Sequence, residues 1–253
     1  MSVACELTGR ILDELKELIK PGISTLDIDR WIDSYITKNN MKSAFKGYGG
    51  FPATACISVN EEVIHGIPSA KRILKEGDIV SVDMGTVYKD YNSDAARTYS
   101  VGKLSEENAR LIATAEESFF EGIKFAKKGY RIGDISHAIQ TCVESNGFSV
   151  IRDYVGHGVG RRLHEDPQIP NYGKPNRGPQ IVPGMTLAIE PMIAAGSFEV
   201  GVLDNDWTVV TLDASMAAHY ENTVLITEDE PIILTCPEWQ RQGRPEKEAA
   251  ANG

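Results

Sequence analysis

An α+β fold built from two similar halves is the architecture that this 253-residue chain predicts, on three observations. Apolar residues recur at helical spacing in four stretches. Between them run short β-type segments bounded by Gly, Asn and Asp turn signals. The order helix, Gly turn, helix, strand occurs twice, and an offset of 107 residues superposes Gly22 on Gly129, Asp27 on Asp134, Ile28 on Ile135, Gly77 on Gly184 and Asp83 on Glu190. That period is much too long for a solenoid, so the copies read as duplicated halves with a site at their junction.

Taken in order, residues 3–19 carry Leu7, Ile11, Leu15 and Leu18 on one helical stripe, stopped by Pro21-Gly22. Ser24 or Thr25 caps a second helix through Ile28, Trp31, Ile32 and Tyr35 to Asn39-Asn40. Strands are expected at 55–59, 63–67 and 79–82. Ser105, with Glu106 and Glu107 in the first turn, opens a helix running to Lys127-Lys128 and ending at Gly129. Asp134 is expected to cap the next, whose stripe is Ile135, Ala138, Ile139, Cys142 and Val143, up to Asn146-Gly147. Strands resume at 148–155, 185–189, 207–212, 219–226 and 231–234. From Pro237 the chain turns polar and charged, so one catalytic domain over 1–236 and a loose tail over 237–253 are expected.

A hydrophobic content of 42% with 25% charged residues is ordinary globular composition, and no run approaches the ~20 apolar residues that span a bilayer. The start shows no basic region followed by an apolar stretch, so cytoplasm is the default and no membrane association is expected. Cys5, Cys56, Cys142 and Cys236 form no CxxC pair, which argues against a disulfide framework or a thiolate metal site. A formal charge of −10 opposes direct nucleic-acid binding.

The chemistry lies in Asp83, Asp94, His157, Glu190 and Glu221. Asp83 ends an apolar run and Asp94 follows eleven residues later, as two adjacent antiparallel strands allow. Taken singly, each Asp also suits a turn or a cap. His157 stands in Gly156-His157-Gly158-Val159-Gly160, which matches neither GxxxxGK[ST] nor GxGxxG, so a nucleotide site is discounted. His164 follows seven residues on, before Glu165-Asp166-Pro167. Glu190 closes the buried-looking run Thr186 to Ile189, and Glu221 lies beside another β-type run. An ion pair is the plainer reading for either carboxylate. Two divalent cations, Mn, Fe, Co or Zn, instead compensate all four carboxylates at once.

At these residues the chain resembles the type I methionine aminopeptidases, metallopeptidases of the pita-bread fold. The motifs are Asn60-Glu61-Glu62-Val63-Ile64-His65-Gly66-Ile67-Pro68, Asp83 with Asp94, the Gly156 to Pro167 stretch, Leu187-Ala188-Ile189-Glu190-Pro191 and Glu221-Asn222-Thr223. The resemblance implies two pseudo-symmetric halves, antiparallel sheet with helices outside, and a metal site at the centre. It implies that Asp83 binds one metal, His157 and Glu190 the other, and that Asp94 and Glu221 bridge the pair. His65, His164, Trp207, Phe51, Tyr48 and Cys56 are the implied substrate-facing residues. Gly49 stands where bacterial members often have His, and Phe45 and Leu163 where Cys and a larger aromatic are common. Only thirty residues separate Glu190 from Glu221, which leaves no room for the long insertion of type II enzymes.

The implied reaction is cotranslational removal of N-terminal methionine from chains with a small second residue, by a hydroxide activated by the dinuclear metal pair. His65 is expected to hold the scissile amide, His164 to stabilise charge on its carbonyl oxygen, and Glu190 to shuttle a proton. The implied partners are N-terminal methionyl peptides, with the ribosome a candidate, and a monomer is assumed. Two rivals stand beside this reading. One is an Xaa-Pro aminopeptidase or prolidase on the same fold, although such chains usually carry an additional N-terminal domain. The other is a non-catalytic binding protein, which has no need for four converging carboxylates.

Overall fold

Helices form where the apolar stripes predict them. The computed structural model describes residues 1–236, and the polar tail expected from Pro237 lies outside the described residues. Helix α1 (Ser2–Leu18) buries Leu7, Ile11, Leu12 and Leu15. Helix α2 (Thr25–Lys38) is capped by Ser24, whose hydroxyl oxygen accepts the Asp27 N–H at 3.1 Å. Helix α3 (Glu106–Ile123) is capped in the same way by Ser105 on Asn108, with Glu106 and Glu107 at its positive end. It stops short of Lys127-Lys128, where Phe125 and Ala126 donate to carbonyls three residues back and tighten the turn. Helix α4 (Ile132–Ser145) corrects the assignment of its cap. Asp134 lies within the first turn, and its carboxylate reaches back to accept the N–H of the cap residue Arg131 at 2.8 Å.

The strands are short: β1 (Lys42–Ser43), β2 (Cys56–Val59), β3 (Glu62–Ile64), β4 (Ile79–Met84), β5 (Thr86–Tyr88), β6 (Tyr91–Asn92), β7 (Ala95–Ser100), β8 (Ser149–Val150), β9 (Gly156–Gly158), β10 (Glu165–Ile169), β11 (Thr186–Ile189), β12 (Met192–Ala194), β13 (Val200–Val202), β14 (Val209–Thr211), β15 (Ala217–His219), β16 (Asn222–Leu225) and β17 (Ile232–Ile233). Every pairing is antiparallel. The central ladders run β2-β4-β7 in the first half and β10-β9-β11-β16-β17 in the second. Several expected strands are shorter in the fold. The 63–67 run ends at Ile64 because His65 takes a left-handed φ of 58°, and only Ser149–Val150 of the 148–155 run finds a partner.

The duplication is visible in the backbone. At the 107-residue offset α2 and α4 coincide end to end. Gly22 and Gly129 share left-handed φ values of 93° and 97°, and Gly77 and Gly184 values of 88° and 91°, a region that glycine enters without a Cβ clash. The isolated bridge Ser24 to Ile73 recurs as Arg131 to Gln180. Each half has its own core. In the first, α1 and α2 pack Leu7, Ile11, Ile28 and Ile32 on Ile57, Val80 and Val82; in the second, α3 and α4 pack Leu111, Phe119, Ile135 and Ile139 around Leu187, Ile189 and Val224. Burying each such side chain contributes roughly 1.5–3 kcal/mol. Helices and sheet thus share one core in each half, and the two halves meet where the Glu221 N–H donates to the Ala96 carbonyl at 3.0 Å and the Glu221 carbonyl accepts the Ala96 N–H at 3.4 Å.

Candidate metal centre

The first two carboxylates come from neighbouring strands, as their spacing predicts. Asp83 in β4 faces Ala96 of β7, and Asp94 immediately precedes that strand. The Thr223 hydroxyl accepts the Asp94 N–H at 3.0 Å and donates to its carbonyl at 2.8 Å, tying the first half to the second.

His157 is the middle residue of β9, opposite Ala188 of β11. Its flanking glycines are required by close approach. A Cβ on Gly156 falls 2.5 Å from the Ala188 carbonyl oxygen, and one on Gly158 overlaps the Asp166 carbonyl.

Glu190 and Glu221 emerge from a gap between two ladders. β11 pairs β16 from Thr186↔Leu225 to Ile189↔Asn222, and β12 pairs β15 from Met192↔His219 to Ala194↔Ala217. In between, residues 190–191 face 220–221, joined by the Tyr220 N–H on the Pro191 carbonyl at 3.1 Å. Pro191 has no N–H to continue the ladder. The expected single run over 219–226 is thereby split at Tyr220-Glu221, and both carboxylates turn inward.

The five side chains converge. His157 Nε2 lies 3.7 Å from Asp94 Oδ2 and 3.6 Å from Glu190 Oε1, and ligand atoms of Asp94, His157 and Glu221 all lie within 4.8 Å of one another. Asp83 lies against the carboxyl groups of Asp94 and Glu221. Burial raises Asp83 to about 7. Burial, then the neighbouring carboxylates, pushes Asp94, Glu190 and Glu221 well above the usual carboxylate range. Burial, then the charge of His164, lowers His157 to about 4.

This is an arrangement in need of cations. Buried Asp83 Oδ1, Asp94 Oδ1 and Glu221 Oε1 have no hydrogen-bond partner. Among the described residues, the close charged contacts of Asp94, Glu190 and Glu221 are to histidines and none is to Lys or Arg. The charge of Arg97 favours ionisation of Glu221, but four clustered carboxyl groups are costly to ionise together, and divalent cations with mixed oxygen and nitrogen ligation suit this donor set.

Beside the centre lies an apolar cluster of Ala44, Phe45, Phe51, Ala53, Cys56 and Leu163, with Ile67 and Trp207 packed on it. Pairing of β3 with β14 brings His65, just after the one, to Trp207, just before the other, with ring centroids 6.3 Å apart. Phe51 meets Trp207 edge-on at 5.1 Å. Phe45 and Leu163 belong to this cluster, and a Cβ on Gly49 falls 3.4 Å from Trp207 Cη2, so the three unusual positions converge on one wall. Cys56 faces Asp83 across β2 and β4; burial raises its thiol well above the ordinary range, so it serves as an apolar wall. His164 stacks on His157 at 4.1 Å, and its Nδ1 is 2.8 Å from the exposed Tyr48 hydroxyl. Burial, then the charge of His164, lowers His65 to about 4, and burial lowers His164.

Three neighbours escaped the sequence reading. Asn171 donates to the Glu190 carbonyl at 2.9 Å, and the Tyr154 ring stands edge-on to His65 at 5.9 Å. His219, buried with Nε2 3.9 Å from Glu190 Oε2 and 3.8 Å from Glu221 Oε2, did carry a signal: it precedes Glu221 by two residues in a β-type run, and that period puts both on one face.

The fold and the buried ligand set are those of a metal-dependent hydrolase, and the description "Metallopeptidase family M24" matches residues 1–228. The chain belongs to that family. Within it, the chain is 56% identical to the methionine aminopeptidase of Clostridium acetobutylicum over 93% of this chain and 94% of that protein. It is 53% identical to methionine aminopeptidase 1 of Bacillus subtilis, over 90% and 93%. The crystal structure of the Thermotoga maritima methionine aminopeptidase superposes with a TM-score of 0.92 at 50% identity, covering 93% of this chain and 95% of that one. The prolidase of Pyrococcus furiosus shares the fold alone, with a TM-score of 0.75 at 24% identity.

Proposed function

We propose that this protein releases N-terminal methionine from peptides and nascent proteins whose second residue is small. The observation that carries this reading is a buried centre of four carboxylates and one imidazole, several of whose oxygens have no hydrogen-bond partner, set against an apolar wall of Phe51, Trp207, Phe45 and Leu163. An apolar, aromatic-walled slot suits the unbranched, polarisable methionine side chain.

Asp83, Asp94, His157, Glu190 and Glu221 would hold two divalent ions, Co, Mn, Fe or Zn. When bound, such ions supply Lewis acidity toward the scissile carbonyl and lower the pKa of water from 15.7 toward about 7. His65, neutral through burial and close to Trp207, holds the scissile amide. His164, oriented by its contact with the Tyr48 hydroxyl, places an imidazole against charge developing on the carbonyl oxygen. Glu190 takes a proton from the attacking water and returns it to the leaving amine. Residues 1–236 act as one catalytic domain, with 237–253 a polar appendage. We further infer a cytoplasmic monomer working on chains as they leave the ribosome; in support, no helix among the described residues is long and apolar enough to cross a membrane.

The test is methionine release from Met-Ala-Ser by metal-stripped protein, with and without added Co or Mn. Metal-dependent release, abolished in Asp94→Ala, is expected. Release of Xaa from Xaa-Pro peptides without release from Met-Ala-Ser overturns the assignment in favour of a Pro-directed peptidase.

A further inference from the structure

His219 is a buried polar group that the catalytic reading leaves unused. The geometry points to His219 as a positioning residue: its Nε2 stands behind Glu190 and Glu221, and a proton there, closing on their rear oxygens, holds both carboxylates aimed at the metal pair. The inference rests on the metal-centre reading above.

The two carboxylates are placed back to back against this ring. Glu190 turns Oε1 toward His157 and Oε2 toward His219. Glu221 turns Oε2 toward His219, while its Oε1 is buried without a partner. One nitrogen, Nε2, thus faces both acids at 3.9 and 3.8 Å, within about 1 Å of hydrogen-bond length. A histidine that merely fills a core donates to some protein acceptor, yet neither Nδ1 nor Nε2 of His219 has a hydrogen-bond partner, and both are buried.

The residue is also anchored. The Thr98 hydroxyl accepts the His219 N–H and donates to its carbonyl, each at 2.9 Å, and His219 pairs with Met192 where β12 meets β15. Its side chain is left only its own rotations. Glu190 and Glu221 both leave the gap between the ladders, where their backbones are held by Asn171 on the Glu190 carbonyl at 2.9 Å and by the Glu221 N–H on the Ala96 carbonyl at 3.0 Å, so the carboxyl groups are what remains to be held. Carboxylates that ligate a metal are themselves held by outer hydrogen bonds, and losing such a partner typically weakens metal binding about 10- to 100-fold.

The experiment is Co(II) titration of the metal-stripped full chain, by calorimetry and visible absorption, for the parent, His219→Gln and His219→Leu. Gln keeps a side-chain N–H; Leu keeps much of the volume and no donor. His219→Leu is expected to bind Co(II) about 10- to 100-fold more weakly with an altered spectrum, and His219→Gln to stay nearer the parent in both. Equal affinity and an unchanged spectrum in folded His219→Leu overturn the proposal. A parent that binds no Co(II) overturns the metal-centre reading itself. Should His219→Leu not fold, ¹⁵N-histidine spectra of the parent with Zn(II) decide: a proton retained on His219 Nε2 is expected, and an unprotonated or metal-bound Nε2 defeats the proposal.

Discussion

His164 and the four carboxylates make opposite demands on their surroundings. His164 is held neutral by burial and is available to meet charge that develops only during reaction, so His164→Ala is expected to lower kcat by about 10²–10³ with a smaller change in KM; steady-state kinetics on Met-Ala-Ser check this, and unchanged turnover removes the role. The carboxylates, raised by burial, retain protons that metal must displace. Metal uptake at pH 7 is therefore expected to release at least about one proton per protein, measured as buffer-dependent calorimetric heat; uptake with no proton release contradicts the buried, protonated set. Asp83 and Glu190 were legible in the chain because each ends an apolar run, and Asp94 and Glu221 because of their place beside strands. Arg97 was not: it donates to the Glu221 carbonyl and, at 2.7 Å, to Asn222 Oδ1, and an Arg within an ordinary strand pattern carries no mark of that contact.

At the level of elements, α1 shows how a distant helix supports the centre. Gly9 lies against the Thr235 carbonyl, which a Cβ at that position overlaps. The Thr235 hydroxyl accepts the Thr223 N–H and donates to Asn222 Oδ1, and Thr223 in turn holds Asp94 at both backbone groups. Gly9→Ala is expected to destabilise the fold by about 1–3 kcal/mol through overpacking and to weaken metal binding as well, read by thermal unfolding and Co(II) titration. Ile139→Ala, in the core where α4 packs on Gly122 of α3, is expected to cost about 2–5 kcal/mol while metal affinity of the folded protein is retained. If Gly9→Ala matches the parent in stability, the close approach of α1 to Thr235 is not tight. The helices were readable because caps and stripes are local, although α3 ends at Ile123, before the Lys127-Lys128 expected of it. The lengths of strands such as β8 and β14 were not, since a strand exists only where a partner is brought alongside.

For the whole molecule, the consequence of four buried acids is a metal-free protein whose stability depends on pH in an unusual sense. Asp83 titrates near 3.8 unfolded and about 7 folded, so its favourable contribution is present below the unfolded value and is lost as pH rises through the folded one. His65 and His157 act oppositely, with folded values of about 4. Their contribution is complete above the unfolded value of about 6.5 and is lost as pH falls toward 4. Above pH 7 the histidine contribution is nearly constant and the carboxylates dominate. The Tm of metal-free protein is therefore expected to fall between pH 7 and 8.5, and saturating metal to abolish or reverse that fall. A metal-free Tm that rises over this interval contradicts the account.

Read alone, the chain determined the presence of the four helices, the cap at Ser105, the duplication and the candidate acids and histidine of the centre, because each is expressed in residue type at short range or in a long-range repeat of the same signals. The φ values shared by Gly22 and Gly129 and by Gly77 and Gly184 show that the repeat records one backbone made twice. Only the tertiary structure decided that Asp134 follows rather than forms the cap of α4, that His65 breaks its strand, that Glu190 and Glu221 share one gap between ladders, and that His219 stands behind both. These features depend on which strands meet and at which register, and pairing energy is set jointly by two segments far apart in the chain, so neither segment displays it by itself.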